Sequence, residues 1–173
     1  TSGSITAGSF ASKVDFTTGA SPNTVAIRDI DGDGKPDLVV GNFNGITVSV
    51  FRNTSTSDSV SFASKVDLTT VTYAQDVGIG DIDGDGKPDL VVANQASSSV
   101  SVFRNTSTSG SISFASKVEF ATGAFAHNVV IGDVDTDGKP DIVVTNLIAN
   151  SVSVLRNTST SGSITASSFA SKV

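Results

Sequence analysis

The chain has 173 residues, which is enough for one domain with a buried core. It contains no cysteine, so neither disulfides nor thiolate metal sites contribute to it. Its formal net charge is −6, it has no basic stretch interleaved with aromatic residues, and its apolar runs are short. These features argue against binding to nucleic acid and against insertion into a membrane. Abundant Ser, Thr, Gly and Val favour strands and turns over helices.

One unit is repeated three times along the chain. The motif Asp-x-Asp-x-Asp-Gly-Lys-Pro-Asp begins at Asp29, Asp81 and Asp133, so the repeat length is 52 residues. Such self-similarity indicates a single repeat array over residues 1–173. We divide it into a partial repeat at residues 1–20 and three repeats at residues 21–72, 73–124 and 125–173.

Four strands are predicted in each repeat, here given for the first. Residues 25–30 and 47–52 alternate apolar and polar side chains, which is typical of half-buried strands. The run at residues 37–41 is continuously apolar after its first residue and indicates a central strand covered on both faces. A fourth strand is predicted at residues 62–68, and turn-forming Gly, Asn, Ser and Pro separate the four.

Four short strands in a unit of about fifty residues are typical of a β-propeller blade. The sequence therefore predicts an all-β fold of tandem four-stranded antiparallel propeller-type blades. Since propellers use about four to eight blades, we expect the three repeats to form part of a larger propeller or assembly.

The two ends of the chain carry nearly the same sequence. Residues 1–14 and 160–173 differ only where Gly8 replaces Ser167. Residues 10–16 correspond to a fourth strand of a preceding repeat, and residues 169–173 to a fourth strand cut short. Because an open strand edge is a template for pairing, we expect self-association of the chain through these terminal strands.

Each repeat concentrates four aspartates at positions 1, 3, 5 and 9 of the motif. Alternating Asp directs carboxylates inward from a tight loop, Gly at position 6 permits the turn, and the backbone carbonyl of Lys at position 7 offers one more oxygen. All-oxygen coordination is what Ca²⁺ prefers, and three divalent cations would neutralise the net charge of −6. The expected ligands of the three calcium sites are Asp29, Asp31, Asp33, Lys35 and Asp37; Asp81, Asp83, Asp85, Lys87 and Asp89; and Asp133, Asp135, Asp137, Lys139 and Asp141.

The loop differs from an EF-hand, because Val40 stands where that motif needs Glu and strands flank it. The sequence Asp-Ile-Asp-Gly-Asp-Gly-Lys-Pro-Asp-Leu-Val-Val instead resembles the calcium loop of FG-GAP/VCBS repeats, which occur in integrin α-subunit propellers and bacterial surface proteins. The resemblance implies Ca²⁺ bound between the first two strands of each blade and an extracellular or cell-surface location. The third loop has Thr136 in place of Gly32 and Gly84. That position is no side-chain ligand, so we expect the third site to be retained.

Few other residues suggest chemistry. His127 is the only histidine, and no nucleophile or orienting acid is marked beside it, so we expect no enzyme activity. Candidate N-glycosylation acceptors are Asn53, Asn105 and Asn157, although Asn-Thr-Ser also makes good turns.

The repeats differ most in the two connections expected opposite the calcium loops, which carry Phe43, Tyr73, Phe125 and His127. This variable end is the candidate surface for a glycan or protein ligand. The leading hypothesis is a structural, adhesive or self-assembling calcium-binding module. The alternatives are a lectin-like binding domain and an accessory domain of a larger secreted enzyme.

Overall fold

The structure is a computed structural model that describes residues 3–170. Within those residues, three antiparallel sheets follow one another along the chain, one for each repeat. The first sheet consists of β1 (Pro22–Arg28), β2 (Asp37–Asn42), β3 (Thr47–Phe51) and β4 (Val66–Thr69); the second of β5 (Ala74–Gly80), β6 (Asp89–Asn94), β7 (Ser99–Phe103) and β8 (Val118–Ala121); the third of β9 (Ala126–Gly132), β10 (Asp141–Asn146) and β11 (Ser151–Leu155). The all-β fold of propeller-type blades is therefore confirmed.

Strand boundaries differ most from the prediction in the fourth strand and in the first, which begins three residues early at Pro22. The first strand ends at Arg28, two residues early, because the backbone N–H of Ile30 turns to donate to the Asp37 carboxylate. The fourth strand begins at Val66, and Phe62 forms only an isolated bridge with Asn53. Side-chain hydrogen bonds between Ser55 and the Ser61 backbone hold this preceding segment in a turn.

The ends of the chain do not form the expected strands. Between residues 3 and 20 the structure contains one short 3₁₀ turn, Ala7–Ser9, and no strand, so the fourth strand predicted at residues 10–16 is wrong for the single molecule. The ring of Phe16 instead packs edge-on against Phe62, with 5.0 Å between ring centroids. At the other end, Phe169 bridges Asn157, and residues 171–173 lie outside the described part of the chain.

The hydrophobic core lies between successive sheets. Neighbouring side chains of β6 point to opposite faces, as in any strand. Leu90 and Val92 join the core with the first sheet, whereas Val91 joins the core with the third. This double coverage explains the continuous apolar run and confirms the prediction of a central strand buried on both faces.

The first strands of successive repeats lie side by side, since β1 contacts β5 and β5 contacts β9. A Cβ atom on Gly80 would lie 2.9 Å from Ile131 Cγ2, so glycine permits the close approach of β5 and β9. The Asp76 carboxylate accepts hydrogen bonds from Thr24 Oγ1 and Val129 N, at 3.1 and 3.0 Å. One side chain of the second repeat therefore joins all three repeats.

The loops sort to two ends of the sheets. The aspartate loops share one end with the turns that follow β3, β7 and β11, because Lys35 Nζ reaches the Ser55 carbonyl and its equivalents do the same. The variable connections lie at the opposite end, where Phe43 N donates to Ser21 O. Within residues 3–170, the structure contains no helix with the length and apolar character of a membrane span.

Candidate metal centre

Three carboxylates converge in each aspartate loop. In each group, one carboxylate oxygen from every member lies within 4.8 Å of the others. The groups are Asp29, Asp31 and Asp33; Asp81, Asp83 and Asp85; and Asp133, Asp135 and Asp141. The structure therefore brings together positions 1, 3 and 5 in the first two repeats and positions 1, 3 and 9 in the third.

Backbone amides wrap each loop around the carboxylate at position 1. Asp29 accepts N–H groups from Gly32 and Gly34, both at 2.8 Å. Asp81 and Asp133 likewise accept from position 6 of their loops, at 2.9 Å each. Position 6 has a φ of +86 to +87° in all three loops, a conformation that favours glycine. The predicted need for Gly at this position is thereby explained.

The aspartate at position 9 is mainly a structural clamp. Asp37 Oδ2 accepts the N–H of Ile30 at 2.9 Å, and Oδ1 accepts the N–H of Asn53 at 2.7 Å. Asp89 and Asp141 repeat both bonds within 0.1 Å. All three carboxylates are buried. They fix the loop against the turn after the third strand, a role that the sequence-based prediction of a metal ligand did not include.

Burial and mutual repulsion raise pKa values in these loops. Burial, together with the charge of Asp83, raises the pKa of Asp89 to about 7. Burial and the neighbouring Asp85 also raise the pKa of Asp83, and burial raises that of Asp37. Burial disfavours the charged form of a carboxylate, and a nearby cation stabilises that form.

The second loop contains an unpaired acceptor. Asp83 is buried, and its Oδ2 atom has no hydrogen-bond partner within the described part of the chain. A buried carboxylate oxygen without a donor is costly. In the first loop, the equivalent Asp31 Oδ2 accepts the N–H of Gly110 at 2.9 Å. The geometry of the second loop thus fits a hard cation with oxygen ligands.

The lysines at position 7 direct their charge away from the carboxylates. The Nζ atoms of Lys35, Lys87 and Lys139 donate to the backbone carbonyls of Ser55, Ser107 and Ser159, at 3.1, 2.8 and 2.7 Å. Their side chains therefore brace the turn after the third strand. The backbone carbonyls of these lysines stay the predicted additional ligands.

Two arginines approach the acidic loops, which sequence reasoning missed. Arg104 Nη1 lies 4.0 Å from Asp85 Oδ2, and Arg156 Nη1 lies 3.8 Å from Asp135 Oδ2. Their constant spacing of 23 residues from the first aspartate of the loop was the available signal.

The turns after β7 and β11 also contact the metal loop of the preceding repeat. Asn105 Nδ2 donates to Ile30 O at 2.8 Å, and Asn157 Nδ2 donates to Ile82 O at 2.7 Å. Ser161 Oγ reaches Gly84 O at 3.1 Å. These contacts join residues 75 to 77 positions apart, so no local pattern predicts them.

The same contacts bear on the candidate glycosylation sites. Asn105 and Asn157 each donate both side-chain N–H groups, the second to Pro88 O and Pro140 O respectively. Asn53 donates to Pro36 O at 2.7 Å. A glycan on Asn105 or Asn157 would break the buried hydrogen bond to the preceding repeat. The geometry therefore disfavours glycosylation of these two residues in the folded protein.

At the variable end, the rings of Phe43 and Tyr73 stack with centroids 4.6 Å apart. The two ring nitrogens of His127 face Gln75 Nε2 at 3.3 Å and Asn128 Oδ1 at 2.6 Å. Neither neighbour is a nucleophile or an acid. Phe125 lies in the connection before β9 with a φ of +68°.

Comparison with known proteins agrees with the repeat and its loops. A family model described as FG-GAP-like repeat matches twice, over residues 29–92 and 81–144. The two matches overlap and together cover about two thirds of the chain. No curated protein matches the sequence. The position of the matches, which begin at Asp29 and Asp81, shows that the chain belongs to the FG-GAP-like repeat family.

Proposed function

We propose that the protein is a non-catalytic calcium-binding module with a structural or adhesive role in an extracellular or cell-surface protein. The observation that carries this proposal is the convergence of three carboxylates in every aspartate loop. Asp83 Oδ2, buried and unpaired among the described residues, supports it from the second loop. Aspartates at positions 1, 3 and 5 of the first two loops, and at positions 1, 3 and 9 of the third, would hold the ion. The remaining aspartate and the lysine carbonyl of each loop are further expected oxygens.

Calcium would compensate the negative charge that each loop concentrates. Each loop joins the first two strands of its sheet, so an ion held there would stiffen the connection that faces the next repeat. Extracellular calcium modules bind with a Kd of about 10⁻⁴–10⁻³ M. A Kd in this range would suit the calcium concentration outside cells, as the proposed location requires.

Thermal unfolding in calcium and in chelator tests the proposal. At free calcium a hundred times Kd, each occupied site adds about 2.7 kcal/mol to the free energy of unfolding. We expect the melting temperature to rise steeply with calcium and less with magnesium, because Mg²⁺ demands tighter octahedral geometry. An identical melting temperature in chelator and in excess calcium would falsify the metal assignment.

A second candidate function is lectin-like binding at the variable end. The stacked rings of Phe43 and Tyr73 favour it, because Tyr73 leaves two fifths of its surface exposed and a flat aromatic face suits the apolar side of a sugar. Titration of Tyr73→Ala and the unchanged chain with a panel of monosaccharides tests it by NMR. Chemical-shift changes that require Tyr73 support this function, and no changes in either chain refute it.

A further inference from the structure

The first repeat exposes apolar side chains that the later repeats bury. Val25 is 64% exposed, whereas its equivalents Val77 and Val129 are each 7% exposed. Ile27 and Val60 are exposed as well, while Ile112 and Ile164, the equivalents of Val60, pack against the core. We call the surface formed by Val25, Ile27 and Val60 the leading face.

The third repeat exposes the opposite surface. Val134 is 56% exposed, whereas its equivalents Ile30 and Ile82 are each 1% exposed. Val152 is also exposed, although Val48 and Val100 at the same position are fully buried. We call the surface formed by Val130, Val134 and Val152 the trailing face.

These two faces meet each other twice inside the chain. Ile30 and Val48 share a core with Val77, at the junction of the first and second repeats. Ile82 and Val100 share a core with Val129, at the junction of the second and third. The trailing face of one repeat therefore packs on the leading face of the next. On the free trailing face of the third repeat, Val134 and Val152 occupy the positions of these packed residues, whereas Val130 is larger than its equivalents Ala26 and Gly78. The positions of Val134 and Val152 match the free leading face of the first repeat.

The two free faces also differ from the internal junctions in their hydrogen bonds. Asn53 Nδ2 donates to Pro36 O, whereas Asn105 and Asn157 donate in addition to the metal loop of the preceding repeat. Among residues 3–170, no such turn packs against the loop of the third repeat, and Asp135 is exposed there while Asp31 and Asp83 are buried. The third metal loop is thus less enclosed than the other two.

We infer that the leading face of one copy of this chain packs on the trailing face of a second copy and encloses the third metal loop. The internal junctions place Asn53 of the arriving copy near the Val134 carbonyl of the receiving one. The contact joins two different surfaces, so repeated docking produces a ring or an open array. The apolar contact between the two faces drives this association. Its dependence on calcium rests on the proposed calcium binding.

The dependence on calcium follows from Asp58. It occupies the position of Gly110, whose N–H contacts the Asp31 carboxylate in the first metal loop. Docking would bring the Asp58 carboxylate close to Asp135, and these like charges repel unless a cation lies between them. We therefore expect tighter association in calcium than in chelator.

Two substitutions on opposite faces test the inference by sedimentation velocity. Val25→Asp places a charge on the leading face, and Val134→Asp places one on the trailing face. Both side chains are exposed in the single chain, so neither substitution should disturb its fold. Burial of one uncompensated charge in the contact weakens association by at least about 30-fold. We expect the unchanged chain to form species larger than a monomer, each variant alone to be monomeric, and an equimolar mixture of the two to form dimers and nothing larger.

Ile46→Asp is the matched control, because Ile46 is an exposed apolar residue on neither face, and it should associate as the unchanged chain does. Circular dichroism checks that all three variants keep the fold. A monomeric unchanged chain in millimolar calcium would overturn the inference, as would variants that do not complement each other. Equal association in calcium and chelator would refute the role of the third metal loop, and the separate melting experiment decides whether calcium binds at all.

Discussion

The side-chain amide of Asn157 donates a hydrogen bond of 2.7 Å to the backbone carbonyl of Ile82, which lies in the aspartate loop of the preceding repeat. Asn105 makes the same contact with Ile30 at 2.8 Å. The metal loop of one repeat and the turn of the next are therefore parts of one structural unit. Asn53 has no such partner among the described residues and donates to Pro36 of its own repeat.

This difference provides a matched pair of substitutions. Asn105→Ala removes the bonds within its repeat and the bond to Ile30 O, whereas Asn53→Ala removes the corresponding bonds within its repeat only. A buried hydrogen bond whose acceptor is left unpaired is worth about 1–3 kcal/mol. We expect Asn105→Ala to lower the free energy of unfolding more than Asn53→Ala does, by about that amount, in urea titrations. Equal losses would show that the contact between repeats contributes nothing to stability.

Loss of one ligand should affect one site. The carboxylate of Asp85 lies in the group of the second loop and in no other. In a repeat array, effects of a substitution remain mainly in its own unit. We expect Asp85→Ala to bind two calcium ions per chain and the unchanged chain three, as counted by native mass spectrometry. Asp15→Ala, an exposed acid outside the loops, should keep three. Three ions in Asp85→Ala would remove Asp85 from the ligand set.

Thr136 is strained in the third loop. Its φ is +63°, and the equivalent glycines Gly32 and Gly84 have φ values of +75 and +69°. The left-handed conformation costs a non-glycine residue roughly 1–2 kcal/mol. Glycine avoids this cost, but its flexibility also stabilises the unfolded chain, which offsets part of the gain. We expect Thr136→Gly to stabilise the fold by about 0.5–1 kcal/mol and to raise the melting temperature.

The reciprocal substitution Gly84→Thr is the control, and it should destabilise the second repeat by a similar amount. Neither change removes a predicted ligand, so calcium stoichiometry should stay constant. A Thr136→Gly chain that melts at a lower temperature than the unchanged chain would contradict the strain argument.

Close approach of the inner strands can be tested with two equivalent glycines. A Cβ on Gly80 would meet Ile131 Cγ2 at 2.9 Å, whereas a Cβ on Gly132 would have no neighbour within 4 Å. Overpacking of a filled contact costs about 1–3 kcal/mol, and an exposed change costs about 0.5 kcal/mol or less. We expect Gly80→Ala to destabilise the chain and Gly132→Ala to leave its unfolding midpoint nearly unchanged. Similar midpoints for both variants would mean that β5 and β9 lie further apart.

Local chemistry made much of the fold predictable. The period of 52 residues, the alternation within the third strand and the apolar run of the second each reflect a constraint that acts within one repeat. The aspartate loops were recognisable for the same reason, because the Asp spacing and Gly34 determine a tight turn of carboxylates without help from distant residues.

The structure alone decided how the repeats meet. The bond from Asn157 to Ile82 and the bridging role of Asp76 join residues more than fifty positions apart, and nothing in the local sequence distinguishes these side chains from ordinary turn and strand residues. The clamp formed by Asp37 depends in the same way on the Asn53 amide, 16 residues later.

The sequence by itself determined the repeat, its strands and its acidic loops, because those follow from spacing and from the conformational preferences of single residues. The tertiary structure decided which apolar faces are covered and which stay open. Val25, Val77 and Val129 are the same residue at the same position of the repeat, and only the presence of a neighbouring sheet makes the last two buried and the first exposed.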